Sequence, residues 1–456
     1  MRVDAIVLGA GMVGVSAALH LQKRGRSVVL IDKHDAAGEE TSYGNAGIIE
    51  RSTIFPRSFP REFRALIRYA LNLSAESHYH LPALPGFLPW LYKYYRASAP
   101  HRWERTARAA LPLIENCLSE HETLMQEAGA LHLLRRTGWI KGYRSAATLE
   151  KGIADAERVT PFGVPFDVLD AKALAEGEPH VTGMHGAVHF TSPAAVVDPG
   201  GLAKAYADLF VARGGKFVVA DARKLEQTSA GWRLGDLEAR DVIVALGPWS
   251  DDVFRPLGYR IPLAVKRGYH MHYATVGNAV LNHPLLDNDE GYLLAPMTRG
   301  IRLTTGVEFA RRDAPKTPVQ LDKVEPVARK LFPLAERRDA EPWMGARPCL
   351  PDMLPVIGPA PRHKSLWFDF GHQHHGFTQG PVSGRLIAEM ICGETPFTDP
   401  APYRAERFDG WTEARVCDSL ANPAIDLLAA HSRRAGSSFV KDAGFAGAAA
   451  GSLRDP

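Results

Sequence analysis

The chain has 456 residues, 45% hydrophobic and 23% charged, a length and balance that fit two or three ordinary globular domains. Its 54 basic and 51 acidic residues give a net charge of +3, which makes no case for a nucleic-acid partner. No run of about 18 apolar residues reads as a membrane span, and Cys117, Cys349, Cys392 and Cys417 form neither CxxC nor metal-ligand spacing, so they read as reduced thiols and no metal site is expected.

The first element is the most informative. Ala5 to Leu8 is an apolar run typical of a strand buried on both faces. It breaks at Gly9-Ala10-Gly11-Met12-Val13-Gly14, a GxGxxG. The first glycine suits a tight turn, the second a close approach of backbone to pyrophosphate, the third the packing of helix on strand. Val13, Ala17, Ala18 and Leu21 then fall at helical spacing, and Gly25 suits the helix end. Ser27 to Ile31 is a second buried strand ending at Asp32 and Lys33. A carboxylate there accepts ribose hydroxyls, and the amides that open the helix hold a diphosphate. A dinucleotide is therefore expected. Asp32 disfavours a 2′-phosphate, while NAD and FAD both remain open. An opening strand also leaves no place for a signal peptide, which points to the cytoplasm.

The stretch DAAGEETSYGNAGIIE reads as a polar loop over the cofactor. Pro56 to Ser98 mixes proline, aromatic and basic residues. It reads as a proline-broken helical cover over a cavity, with a membrane-surface contact as the alternative. His78 and His80 lack a third partner in sequence and read as packing residues. Arg102 to Gly129 is helical, Thr137 to Tyr143 a strand, and Ala146 to Val159 and Asp170 to Glu178 helices.

Asp198 and Pro199 suit a helix start, followed by a Gly-Gly stop and a strand to Ala220. Trp232 to Leu237 is a short strand. Ala239 to Leu246 is a buried strand running into a glycine corner at Gly247. From Arg260 to Ala310 the alternation predicts antiparallel strands with a turn at Thr298 to Gly300. Val319 to Phe332 is a helix, Trp343 to Gly358 an extended proline-rich passage, and Leu366 to Asp369 a strand. A second glycine loop, GHQHHGFTQG, then opens a helix ending near Gly393. Asp409 to Pro456, rich in Ala, Gly and Ser, reads as an irregular tail with a helical turn at Asp426 to His431.

The ordered blocks GAGMVG with Asp32, TSYGNAG, DPGGL, ALGPWS, RGY with TGVEF, and GARPCLPDMLPVIG with GHQHHGFTQGP resemble the FAD-dependent D-amino acid oxidase superfamily. Within it the chain looks most like bacterial D-amino acid dehydrogenases and their glycine-oxidase and hydroxyproline-dehydrogenase relatives. The resemblance covers about residues 1 to 408. It implies an α/β fold, a doubly wound, discontinuous FAD domain with an inserted α+β substrate domain on a mixed or antiparallel sheet. The FAD domain would comprise residues 1–56, 185–258 and 342–408, and the substrate domain 57–184 and 259–341.

It further implies that Gly9, Gly11, Met12, Val13, Gly14, Asp32 and Lys33 bind the ADP half of FAD. Thr41, Ser42, Asn45, Ala46, Gly47 and Gly247 would lie along the pyrophosphate and flavin, and Gly376, Phe377 and Thr378 under the ring. Cys349 does not match the family's covalent cysteine, so non-covalent FAD is expected. The implied reaction passes a hydride from the Cα of a D-amino or cyclic imino acid to flavin N5, giving an imine and then a 2-oxo acid. Arg347 matches the carboxylate clamp, with a structural arginine paired to Asp352 as the bland reading. Tyr269 and Tyr292 compete for the hydroxyl that closes the carboxylate pocket. His374 stands where some relatives carry a second arginine, and His270, His272, His372 and His375 are further pocket candidates or packing residues. A quinone or respiratory acceptor is implied, with the protein peripheral at the inner membrane. A peroxide-forming glycine or sarcosine oxidase, or a non-catalytic nucleotide-binding subunit, are the alternatives. Oligomeric state is unknown from sequence.

Overall fold

The computed structural model describes residues 1–72 and 74–409, with nothing said of the Ala65 side chain. The expected tail, with its helical turn, lies outside the described residues beyond Asp409.

Lys216–Val219, Val28–Asp32, Arg2–Leu8 and Leu237–Val244 lie side by side in that order, all parallel, and Leu366–Phe370 adds a fifth parallel strand. The chain leaves Arg2–Leu8 toward Val28–Asp32 on one side, while Leu237–Val244 pairs on the other. That change of direction is a topological switch point, where open α/β sheets bind ligands. The continuous apolar runs follow from burial: Ile6, Val7 and Leu8 are fully buried, each such side chain contributing about 1.5–3 kcal/mol. The helix Met12–Lys23 packs against Gly376–Cys392 and Pro199–Ala212. The approach to the former is backbone-close, since a Cβ on Gly384 would lie 2.7 Å from the Ala17 nitrogen. The expected start signals of the third helix hold, because the Asp198 side chain accepts from the Gly201 amide at 2.9 Å and Pro199 opens the helix.

The second sheet has eleven strands and is mixed. Its spine is Ala264–Thr275, paired antiparallel with Trp343–Cys349 on one edge and with Gly300–Thr304 and Val307–Phe309 on the other. The expected turn falls between Tyr292–Met297 and Gly300–Thr304. Two segments differ from the sequence-based division. Gly186–Phe190 pairs with Trp139–Tyr143 and Phe166–Asp170, and Trp343–Cys349 pairs with the spine, so both belong to the larger sheet. An apolar run signals burial in a sheet but not which sheet buries it. Between Pro56 and Ser98 the chain forms the helices Phe63–Ala70 and Leu84–Ala97 with a short strand, Ser77–Tyr79.

Candidate active site

The cofactor cradle is built by close contacts only glycine allows. Gly9 has φ +105°, and a Cβ there would lie 2.5 Å from the Ala245 carbonyl oxygen at the end of the neighbouring strand. A Cβ on Gly14 would lie 1.8 Å from the Gly9 oxygen. The turn is thus pressed between the first strand and its helix, whose first amides have no intrahelical acceptors. The Ser42 hydroxyl accepts from the Met12 amide at 2.9 Å, which ties the polar loop to the helix start. Asp32 accepts from the amides of Ala10 at 2.7 Å and His34 at 3.0 Å. Two of the carboxylate's acceptor positions are therefore taken, one by the glycine turn and one by the residue two further on, and the others stay free for ribose hydroxyls. Lys33 pairs with Glu40 at 2.5 Å and lies over the Trp249 ring, beside Gly247.

The loop is held from three directions. Thr41 donates to the Ala346 carbonyl at 2.6 Å, the Gly47 amide donates to the Asn45 side chain at 2.8 Å, and Arg302 donates to the carbonyls of Tyr43 and Asn45. Arg302 is buried, and its Nε donates to His272 Nε2 at 3.0 Å, while His272 Nδ1 bonds Asp339 at 2.7 Å. Burial and the Arg302 charge keep His272 neutral, below the ordinary histidine value. Opposite, Thr378 donates to the Ile48 carbonyl at 3.0 Å and His121 Nε2 bonds the Phe377 carbonyl at 2.8 Å, fixing the start of the Gly376–Cys392 helix.

Gly9, Gly11, Asp32, Thr41, Ser42, Asn45, Ala46, Gly247, Gly376, Phe377 and Thr378 all border one cavity of about 1820 Å³. Small-molecule pockets usually measure roughly 300–1,000 Å³, so this space takes an extended dinucleotide and a second molecule. The glycine cradle, the remaining acceptor positions of Asp32 and the second helix start fit FAD.

Arg347 borders the same cavity. Its guanidinium lies across Gly268, where a Cβ would sit 2.6 Å from Nη2, and Nη1 donates to the Gly306 carbonyl at 3.0 Å. Among the described residues it pairs with no carboxylate. Burial and the neighbouring Arg57 charge act against its own.

The two tyrosines also border the cavity, but their hydroxyls turn away from Arg347. Along the spine, residues of one parity share a face, and Arg347 stands opposite Lys266. Tyr269 is on the other face, where its hydroxyl donates to Glu308 at 2.9 Å and accepts from Arg267 and the Thr317 amide. Tyr292 shares that far face with Leu294 and Leu303 and packs in the core behind the sheet. Neither hydroxyl is presented on the Arg347 side.

The histidines divide. His372, His374 and His375 border the cavity. The His374 ring is enclosed by protein but open to cavity space. Burial, reinforced by His375, Arg57, Arg347 and Lys266, holds it neutral, well below its ordinary value. His270 instead stacks on Trp343, with centroids 4.6 Å apart, and burial drives it to about 2.

Among the described residues two clusters bring metal-binding residue types together. His78 and His80 do find a third partner, Glu308, which sequence spacing did not reveal. Glu308 is already bonded by Arg267, Tyr269, Thr317 and His80. In the second cluster His270 and His272 meet Asp339, with Arg302 bonded to His272. A cation would have to displace a guanidinium in either. Lys266, Arg57 and Glu50, all bordering the cavity, were not singled out by sequence. Only the strand register, Lys266 across from Arg347, could have flagged the first.

Comparison with known proteins agrees with this geometry. The model of the DAO family, FAD dependent oxidoreductase, matches residues 4–390. The chain belongs to that family. It is 28% identical over 414 residues to a D-amino-acid oxidase of Bradyrhizobium diazoefficiens, covering 88% of this chain and 98% of the relative. It is 30% identical over 413 residues to a D-amino acid dehydrogenase of Xylella fastidiosa, covering 86% and 92%. Among solved structures, glycine oxidase from Geobacillus kaustophilus superposes with TM-score 0.67 at 21% identity, covering 89% of this chain and 99% of that one. The protein is an FAD-dependent oxidoreductase of the amino acid oxidase and dehydrogenase type.

Proposed function

We propose that this enzyme oxidises the Cα–N bond of a D-amino acid or cyclic imino acid and passes the electrons to a membrane quinone. The observation that carries the reading is Arg347, a guanidinium without a carboxylate partner among the described residues, on the cavity wall beside the cofactor loop. A planar fork with two parallel donors suits an α-carboxylate.

Bound FAD supplies the hydride acceptor. The chain's residues do the rest. Arg347 fixes the carboxylate. The Gly376–Cys392 helix offers its first amides, the positive end of its dipole, to charge gathering near it. The amine must be neutral to react, and no dedicated base is needed. Arg57 and Arg347 make this stretch of the cavity wall positive, and a positive field disfavours an ammonium ion. FAD is held without a covalent bond, by the cradle alone.

The quinone and a peripheral seat at the inner membrane rest on the cavity mouth. Phe63, 74% exposed, Ile67 and Leu71 form one exposed apolar stripe, and Leu81, Leu88 and Tyr95 another. Arg61, Arg64, Arg68 and Arg96 are exposed around them. Leu88, Leu66 and Tyr69 also border the cavity. An apolar face ringed by arginine suits an anionic bilayer surface. Among the described residues no helix is long and apolar enough to cross a membrane.

Anaerobic bleaching of the flavin by a panel of D-amino acids, sarcosine and D-hydroxyproline tests the chemistry. No bleaching by any of them would favour the non-catalytic subunit. Oxygen uptake measured beside quinone reduction separates a dehydrogenase from a peroxide-forming glycine or sarcosine oxidase.

A further inference from the structure

We infer that the cavity carries a second anion subsite, centred on Lys266, and that the preferred substrate is an acidic amino or imino acid. This rests on the amino-acid reading above and extends it to the substrate's far end.

Lys266 is 8% exposed and Arg347 half-buried, and they stand directly across from each other on neighbouring antiparallel strands. Like charges in that position are destabilising. Burial makes it worse, because a cation taken out of water needs an anion or dense hydrogen bonding. Neither residue has an ion pair among the described residues. The groups whose charge acts on Lys266 are Cys349, Arg347 and Arg57, with no carboxylate among them. Lys266 Nζ instead lies 4.6 Å from the Trp90 ring centre, 4.7 Å from Tyr94 and 5.6 Å from Phe309. Such an aromatic cage offsets part of the cost of burying the charge, and burial still leaves the lysine below its ordinary value. An ammonium kept there at a loss is explained by a ligand anion.

One α-carboxylate shared by both cations is the simpler account, and the geometry argues against it. Arg347 leans over Gly268 toward the Gly306 carbonyl. Lys266 points to Phe309, the other end of the Val307–Phe309 strand. The two heads diverge along the spine by two residues, about 7 Å of extended chain. That spacing suits two carboxylates of one small molecule. Arg57, on the exposed side of the cavity wall, adds a third positive group where such a substrate would enter.

D-glutamate and D-glutamine differ only in the second charge, which makes them the test pair. With the holoenzyme, kcat/KM for D-glutamate should exceed that for D-glutamine at least tenfold. Lys266→Met should cut the D-glutamate value more than thirtyfold and the D-glutamine value less than threefold. Glutarate should perturb the flavin spectrum at lower concentration than valerate does, and this difference should vanish in Lys266→Met. Lys266→Arg should keep the acidic preference, which shows that a loss in the first variant is not misfolding. Equal falls for both substrates, or a wild-type preference for D-glutamine, would overturn the subsite while leaving the amino-acid reading intact. A flavin reduced by no amino or imino acid would overturn both.

Discussion

Arg407 holds Asp352, with its Nε donating to Oδ2 at 2.7 Å. That pairing removes the carboxylate that would have made Arg347 a structural residue. Arg347→Lys keeps the charge but loses the fork. It should cost one charge-assisted bond, about 1.5–3 kcal/mol, and so lower kcat/KM roughly 10- to 100-fold. FAD content should stay at the wild-type level. Arg407→Lys is the control: thermal stability should fall, with KM nearly unchanged. Loss of flavin from Arg347→Lys would assign that arginine to the scaffold.

Gly14→Ala tests the cradle. Its Cβ would sit 1.8 Å from the Gly9 oxygen, so helix and strand must separate. The variant should purify without yellow colour or fail to fold. Gly25→Ala meets a positive φ, +72°, but nothing lies within 4 Å of its Cβ. It should cost about 1–2 kcal/mol of stability and retain flavin. Visible absorbance relative to protein absorbance reads both.

Arg302 tests the loop. It is buried, holds two loop carbonyls and rests on His272, which in turn rests on Asp339. Arg302→Met should weaken FAD binding at least tenfold, measured by flavin fluorescence on dilution. Arg302→Lys should not restore it, because an ammonium cannot serve two carbonyls and an imidazole in one plane. Unchanged FAD affinity in Arg302→Met would mean the loop holds without this brace.

Local signals carried most of the fold. The GxGxxG, the Asp198 cap and the apolar strands each encode their geometry within a few residues. What sequence could not provide was facing. Tyr269 and Tyr292 sit in the right strands but on the far side of the pleat, and a one-residue parity decides that. Lys266 was missed for the same reason, because its importance lies in what stands opposite it. Glu308 beside His80 is a contact between segments 228 positions apart, which no spacing rule reaches.

Asp369 offers a test in which two accounts predict opposite signs. It is fully buried on the cavity wall, 3.4 Å from His372 Nε2. If the two formed an ion pair, removing the charge would destabilise the protein near neutrality. Burial instead raises the Asp369 carboxyl well above the usual carboxylate range and drives His372 down to about 3, so both are neutral. The unfolded carboxyl ionises near 3.9. Between that pH and its raised native value, the native state binds the extra proton. Stability from this group is then full below about pH 3.9 and falls as pH rises, by about 1.4 kcal/mol per pH unit. Buried histidines such as His121, held at about 4, act the other way, since their contribution is lost as pH drops below the ordinary histidine value. Comparing wild type with Asp369→Asn cancels those shared terms. The Asn variant should gain on wild type in thermal or urea unfolding as pH rises from about 4 toward the raised native value of Asp369. A variant less stable than wild type at neutral pH would instead establish the charged pair.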